Sequence, residues 1–148
     1  MKPHIRIQEE DFDLTDEIEA LSADQTNVGA VASFVGLVRG DDDLSSLTLE
    51  HYPGMTEREI ASHVDEATKR WPLMGVTIIH RVGTLKPGER IVLVAVASSH
   101  RGAAFAACEF LMDYLKTRAP FWKREDRDGE THWVEARSSD DEAAQRWK

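Results

Sequence analysis

The seven-residue run Ile91 to Ala97, IVLVAVA, constrains this chain more than any other stretch. Apolar residues without alternation do not suit a sheet with one wet face, and the run is far too short to span a bilayer. It requires a central strand covered on both faces, and hence a layered domain. The strand is entered from Lys86-Pro87-Gly88-Glu89, which has turn chemistry. It leaves through Ser98-Ser99-His100-Arg101-Gly102, a polar junction before a long helical pattern. At 148 residues, with 41% hydrophobic and 30% charged residues, the chain has the size and composition of one globular domain spanning residues 1–148.

Around that strand the periodicities alternate. His4 to Gln8 reads as a short strand, Asp13 to Ala23 as a helix with Leu14, Ile18 and Leu21 on one face, and Asn27 to Val38 as a largely buried strand. Leu47 to Tyr52 is a strand turned by Pro53-Gly54. Thr56 with Glu59 makes a capping box ahead of a helix over Glu57 to Arg70, whose apolar stripe is Ile60, Val64, Ala67 and Trp71. Pro72 ends it, and Val76 to Val82 is a strand. The helix after Ser98–Gly102 runs to about Thr117 with Ala104, Cys108, Leu111 and Leu115 as its core stripe. Asp128-Gly129 is a hairpin turn leading to a strand over His132 to Ala136, and Ser138 or Ser139 caps a last helix over Asp140 to Trp147. Interleaved strands and helices of this kind predict an α+β domain with a mixed or antiparallel sheet.

Three places offer chemistry. In Lys116 to Arg124 four of nine residues are basic and none is acidic, on a chain of formal charge -9. The helix must break there, because Pro120 lacks an N–H and drives Ala119 out of the α region. A positive, aromatic-lined turn on an acidic protein suits a flat anion. Equally, Lys116 follows Asp113 by three residues, the spacing of a plain surface ion pair. Ser98 to Gly102 combines hydroxyls, a His and an Arg with the free N–H groups of a helix start, an anion site in chemistry; Ser99 as a simple cap is the competing reading. Arg39 is the lone cation of Arg39-Gly40-Asp41-Asp42-Asp43, and serves either a ligand or its own aspartates.

Several classes are disfavoured. One cysteine, Cys108, in an apolar helix reads as a packing residue and forms no internal disulfide. The six histidines have no ligand spacing, so no metal is expected. A pI near 5.1 argues against nucleic acid as a partner. No stretch is apolar enough for a membrane span and MKPHIRIQEEDF is unlike a signal peptide, which makes a cytoplasmic protein the default expectation.

Six strings together resemble one family. TLEHYPGMTE (Thr48 to Glu57), VDEA with RWPL (Val64 to Leu73), HRVG (His80 to Gly83), SSHR (Ser98 to Arg101), MDYLKTRAPFWKRE (Met112 to Glu125) and WVEAR (Trp133 to Arg137) are similar to the large, catalytic subunit of molybdopterin synthase. The match runs in unbroken order from about Gly29 to the C-terminus. The resemblance implies an α/β hammerhead-type domain with an added small antiparallel subdomain. It implies a sulfurtransferase of molybdenum cofactor biosynthesis that converts cyclic pyranopterin monophosphate, precursor Z, into molybdopterin by installing a dithiolene. Sulfur would arrive as a thiocarboxylate on the C-terminal Gly-Gly of a small ubiquitin-like subunit, with no cofactor. Two large subunits would form a homodimer within a heterotetramer.

Carried over by motif position, the substrate pocket would comprise Leu37, Val38 and Arg39 after FVG, His100 and Arg101 of SSHR, Lys116 of YLKTRAP, and Lys123, Arg124 and Glu125 of FWKRE. Arg39, His100 and Arg101 suit the phosphate, since guanidinium binds phosphate oxygens bidentately. Leu37 departs from the family pattern where some members carry a basic residue, leaving only a backbone contact. The resemblance points to Lys116 as the principal catalytic residue and Lys123 as its companion, because lysines that are desolvated or adjacent to a second cation move protons near neutral pH and stabilise developing negative charge. The partner tail would run beside Pro120 to Trp122, with at least one of Phe121 and Trp122 a core aromatic. A non-catalytic scaffold would be signalled by loss of a pocket lysine, and both are present. A small RNA-binding module would account for the interleaved aromatics but not for the acidic pI.

Overall fold

The computed structural model describes residues 1–40, 43–134 and 138–148, the last of these with side chains from 141 onward. The elements are β1 (His4–Gln8), α1 (Leu14–Ser22), β2 (Ala30–Leu37), β3 (Leu44–His51), α2 (Met55–Arg70), β4 (Leu73–Arg81), β5 (Gly83–Leu85), β6 (Arg90–Ser98), α3 (Arg101–Thr117), β7 (Phe121–Arg127), β8 (Glu130–Val134) and α4 (Ser138–Gln145). They form two sheets. The first, in order β1-β4-β6-β2, is mixed: β1 lies parallel to β4, and the other pairs are antiparallel. The second, β5-β3-β7-β8, is wholly antiparallel. This is the α+β architecture with a mixed sheet and a smaller antiparallel one.

β6 sits inside the first sheet and explains the apolar run. Val92, Val94 and Val96 face α2 and α3, where they pack with Ile60, Val64, Phe110 and Leu111. Leu93, Ala95 and Ala97 face the other way, with Phe12 and Leu21 beside α1. Alternate residues thus enter two separate apolar layers, which is why no polar residue is tolerated between them. Cys108 belongs to the first layer: its Sγ lies 3.7 Å from the Val94 carbonyl, and burial pushes the thiol up to about 11, so it packs rather than reacts. A third cluster, Val38, Leu47, Leu49 and Leu85, belongs mainly to the second sheet. α3 carries the expected stripe, widened by Ala107, Phe110 and Met112.

Two expected caps differ. α2 begins two residues earlier than the Thr56–Glu59 pattern predicts, because Gly54 adopts φ 85° as N-cap and its N–H donates to Glu57 Oε2 at 2.8 Å. Thr56 is buried instead; its hydroxyl accepts from the Tyr52 N–H and donates to the Pro120 carbonyl, both at 3.1 Å. That bond ties the start of α2 to the proline turn after α3. At α3 the N-cap is His100 with no side-chain cap bond, not Ser99. The Ser98 hydroxyl donates to the Pro72 carbonyl at 2.7 Å.

Strand boundaries move where partners extend them: β3 starts at Leu44 opposite Arg127, and β4 starts at Leu73 across a bulge opposite Ser98. β2 starts late, at Ala30, and just before it Gly29 is pressed against the Ser99 carbonyl, leaving no room for a Cβ. Asp128 and Gly129, at φ 48° and 77°, make the predicted hairpin turn, and β8 begins at Glu130. The expected end of that strand at Ala136 and the capping by Ser138 or Ser139 lie outside the described residues and side chains. α4 ends at Gln145, short of Trp147, whose ring packs against Phe110 with centroids 5.5 Å apart.

Candidate functional site

A cavity of about 540 Å³ opens where β2, the end of α3 and β7 meet. The strand β7 shapes it by simple alternation. Phe121, Lys123, Glu125 and Arg127 all line the cavity, four residues at a spacing of two, because successive side chains of a strand point to opposite faces. Trp122 and Arg124 therefore point away. Trp122 is exposed and meets Tyr52 edge-on at 4.2 Å, while Arg124 pairs across the sheet with Thr48 on β3 and Trp133 on β8. The aromatic pair is thus divided: Phe121 packs inward and Trp122 does not.

The break at Pro120 brings α3 to the same place. Lys116, in the last turn of the helix, lines the cavity with Met112 and Leu115. The surface ion pair with Asp113 does not form: the Asp113 carboxylate accepts from Arg146 at 2.9 Å and from the Trp147 indole N–H at 2.6 Å. From the other side come Leu37, Val38 and Arg39. Leu37 is exposed at a bulge in β2. Val38 is buried, with its N–H bonded to the Glu89 carbonyl and its carbonyl to the Gly88 N–H, both at 2.8 Å, so it offers the cavity an apolar wall. Pairing of Arg39 with Asp41 or Asp42 falls outside the described residues.

The charge balance of the cavity opposes that of the chain. Arg39, Lys116, Lys123 and Arg127 face it, against Glu125 as the one lining carboxylate among the described residues. Glu125 accepts from Arg127 Nε at 2.7 Å, and Arg127 also donates to Asp43 at 2.7 Å. A concentration of guanidinium and ammonium groups on a protein of charge -9 is an anion site.

Of the residues expected from sequence, the structure brings together Leu37, Val38, Arg39, Lys116, Lys123 and Glu125. Arg124 lies on the opposite face of β7. His100 and Arg101 lie at the opposite end of α3, exposed, about 22 Å from Lys116 by helix rise. The sequence reading missed Arg127 and His80. Arg127 was reachable by counting in twos from Lys123. His80 had no local signal beyond its place in HRVG. It is the last residue but one of β4 and almost fully buried, its ring stacked on Phe121 at 3.9 Å and its Nδ1 2.9 Å from the Arg81 carbonyl. Burial, reinforced by the Lys123 and Lys116 charges, pushes its pKa down to about 4. Among the described residues no three or more His, Cys, Asp or Glu are grouped to hold a metal ion, and no helix is long and apolar enough to cross a membrane.

The family model for MoaE protein matches residues 7–118. A molybdopterin synthase catalytic subunit from Ralstonia nicotianae is 57% identical, over 98% of this chain and 84% of its own length. Among solved structures, the molybdopterin biosynthesis MoaE protein from Burkholderia ambifaria is 54% identical and superposes with a TM-score of 0.86, covering 99% of this chain and 98% of its own. A protein–protein complex of subunits 1 and 2 of molybdopterin-converting factor from Helicobacter pylori contains a chain of the same fold, 22% identical, with a TM-score of 0.76 over 90% of this chain and 92% of that one.

Proposed function

This chain belongs to the MoaE protein family, the catalytic subunits of molybdopterin synthase, enzymes that transfer sulfur in molybdenum cofactor biosynthesis, and we propose that the cavity at the end of α3 is where it does so. The substrate is cyclic pyranopterin monophosphate, and the sulfur donor is the C-terminal thiocarboxylate of a small partner subunit. The observation that carries this reading is the convergence of Arg39, Lys116 and Lys123 on one cavity of about 540 Å³, large enough for a pterin and a narrow peptide tail. That a chain of this fold occurs in a two-subunit complex in Helicobacter pylori supports a partner here.

The chemistry follows from the residues. Thiocarboxylate sulfur attacks the pterin side chain, an oxygen leaving group departs, and water releases the spent tail by hydrolysing the acyl link. Negative charge develops at each step. Two fixed ammonium groups, Lys116 from the last turn of α3 and Lys123 from β7, stabilise it and supply protons to the leaving oxygen. Arg39 takes the phosphate. Lys116 is the principal catalytic residue and Lys123 its companion.

His100 and Arg101 join the same substrate from a second copy of the chain, because no motion within one rigid helix spans the distance from Arg101 to Lys116. The surface beside them suits such a contact: Phe105, one turn beyond Arg101, is 67% exposed, and Phe34 on the edge strand β2 is 41% exposed. A homodimer of large subunits, each bearing one small subunit, is the resulting heterotetramer.

The test is reconstitution from the purified chain, the pterin substrate and thiocarboxylated small subunit, with dithiolene product read by fluorescence after oxidation. Product is expected from the parent and is lost, at least about 100-fold, with Lys116→Ala, while small-subunit binding persists. Near-parental turnover by that variant removes Lys116 from the mechanism, and a stable complex that makes no product would favour a scaffold instead.

A further inference from the structure

We propose that His80 is a substrate-contacting residue of the cavity, its Nε2 accepting a hydrogen bond from an N–H of the bound pterin. The inference rests on the reading of the cavity as the pterin site and assigns one more contact within it.

The argument begins with the tautomer. A carbonyl oxygen only accepts, so the 2.9 Å contact between His80 Nδ1 and the Arg81 carbonyl requires the proton to be on Nδ1. Nε2 then carries the lone pair. The backbone of Arg81 is in turn held firmly: its side chain is buried, with Nε donating to the Glu9 carbonyl at 3.0 Å and Nη1 to the Arg90 carbonyl at 2.9 Å. One face of the imidazole is covered by Phe121. With that face and the Nδ1 edge occupied, the edge carrying Nε2 is what this cavity-lining ring has left to offer.

The ring stays neutral. Burial opposes protonation most strongly, and with the Lys123, Lys116 and His51 charges it outweighs the hydrogen bond to the Arg81 carbonyl, which favours it. His80 therefore remains an acceptor across the pH range in which an ordinary histidine becomes a donor.

Side-chain acceptors are few among the described residues that line the cavity. Arg39, Lys116, Lys123 and Arg127 are donors only. Glu125 Oε2 accepts from Arg127, and the Thr117 hydroxyl donates to the Asp113 carbonyl at 2.9 Å, so both acceptors are already drawn toward the protein. A pterin has an anionic phosphate for the cations, but it also has ring and amino N–H groups. Each of those needs an acceptor in a lining dominated by donors, and one left unpaired would weaken binding. Nε2 meets one of them. Lys123, two residues beyond Phe121 on the same face of β7, lies beside the same ring and can face the anionic portion.

Nitrogen NMR of the parent protein with labelled histidine tests this without any substitution. His80 should show the Nδ1–H tautomer, and its Nε2 resonance should move toward the protonated side on saturation with the pterin. An Nε2 signal unmoved at saturation overturns the proposal. Two variants complete the test. His80→Asn keeps a donor for the Arg81 carbonyl and lacks a group at the Nε2 position; His80→Gln carries an amide oxygen that reaches it. Loss of one neutral hydrogen bond should raise KM for the pterin about 10-fold in His80→Asn with kcat changed less, and His80→Gln should return it to within about 3-fold of the parent. Parental kinetics in His80→Asn, or equal damage in both variants at parental Tm, would discard the acceptor role. Lys116→Ala assayed in parallel distinguishes the two failures: if it is active, the cavity reading itself falls; if it is inactive while Nε2 does not respond, only the His80 contact falls.

Discussion

The two ends of α3 carry similar chemistry in opposite surroundings. At the C-terminal end Lys116 enters a cavity walled by β2 and β7, with three further cations around it. At the N-terminal end His100 and Arg101 stand in the open, next to the exposed ring of Phe105. Between them the helix is core, with Ala104, Ala107, Phe110 and Leu111 each no more than 1% exposed. A helix that contributes its middle to a core has only its ends left for chemistry. The closed end gathers several elements of this chain around one cavity, while the open end presents its groups to solvent.

The contrast can be probed in order of expected effect. Phe110→Ala, which removes the ring that packs between Trp71, Tyr114 and Trp147, should cost about 3–5 kcal/mol in denaturant unfolding. A loss under about 1 kcal/mol would mean that the middle of α3 is not the anchor of both ends.

Acid tests the closed end. His80 binds its proton only near pH 4 in the folded protein but near 6.5 once unfolded, so the unfolded chain takes up the proton first as pH falls. Stability from this group is present above pH 6.5 and is lost between there and 4, by roughly 3 kcal/mol. His63, whose pKa is also lowered chiefly by burial, adds in the same direction. Asp11, held down to about 2 mainly by its hydrogen bond to Arg90, contributes its loss only below the ordinary carboxylate range, so the windows separate. Thermal melts across pH 4 to 8 should show the slope, and His80→Gln should flatten it; an equal slope in both would move its origin elsewhere.

The open end is tested by Arg101→Ala, which should lower kcat/KM about 10-fold without moving Tm. Inactive Lys116→Ala and impaired Arg101→Ala chains, co-refolded, should then recover about one quarter of parental sites if each site draws on two copies, since only mixed dimers hold one intact pair. No recovery would place both groups in one chain's site. Smallest of all, Arg124→Ala should stay within about 3-fold of parental turnover, because its side chain leaves β7 on the outer face; a larger loss would show that the outer face also meets a substrate or partner.

How much of this was legible differs by element. Strand β6 was readable because burial on both faces leaves a run with no polar residue at all. Helix α3 was readable because its stripe and its proline stop are local. The α2 cap was misread by two residues, since the deciding feature was the positive φ of Gly54 and a serine or threonine pattern says nothing of that. Arg124 and Arg127 differ in sequence only by which side of an alternation they occupy. Lys123 and Glu125, taken with Arg127, would have selected the right face; the adjacent placement of Lys123 and Arg124 in one basic string concealed it.

What the sequence by itself determined is therefore what depends on neighbours a few residues apart: the elements, the break at Pro120, the basic turn, and the family to which its motifs belong. Tertiary structure alone decided which of those groups meet. The β3–β7 register, set by pairs such as Leu49 with Lys123, chose the face of β7 that lines the cavity, and the stack of His80 on Phe121 joined residues forty-one positions apart. Alternation fixes which side chains share a face, but only packing against the rest of the chain decides what that face sees.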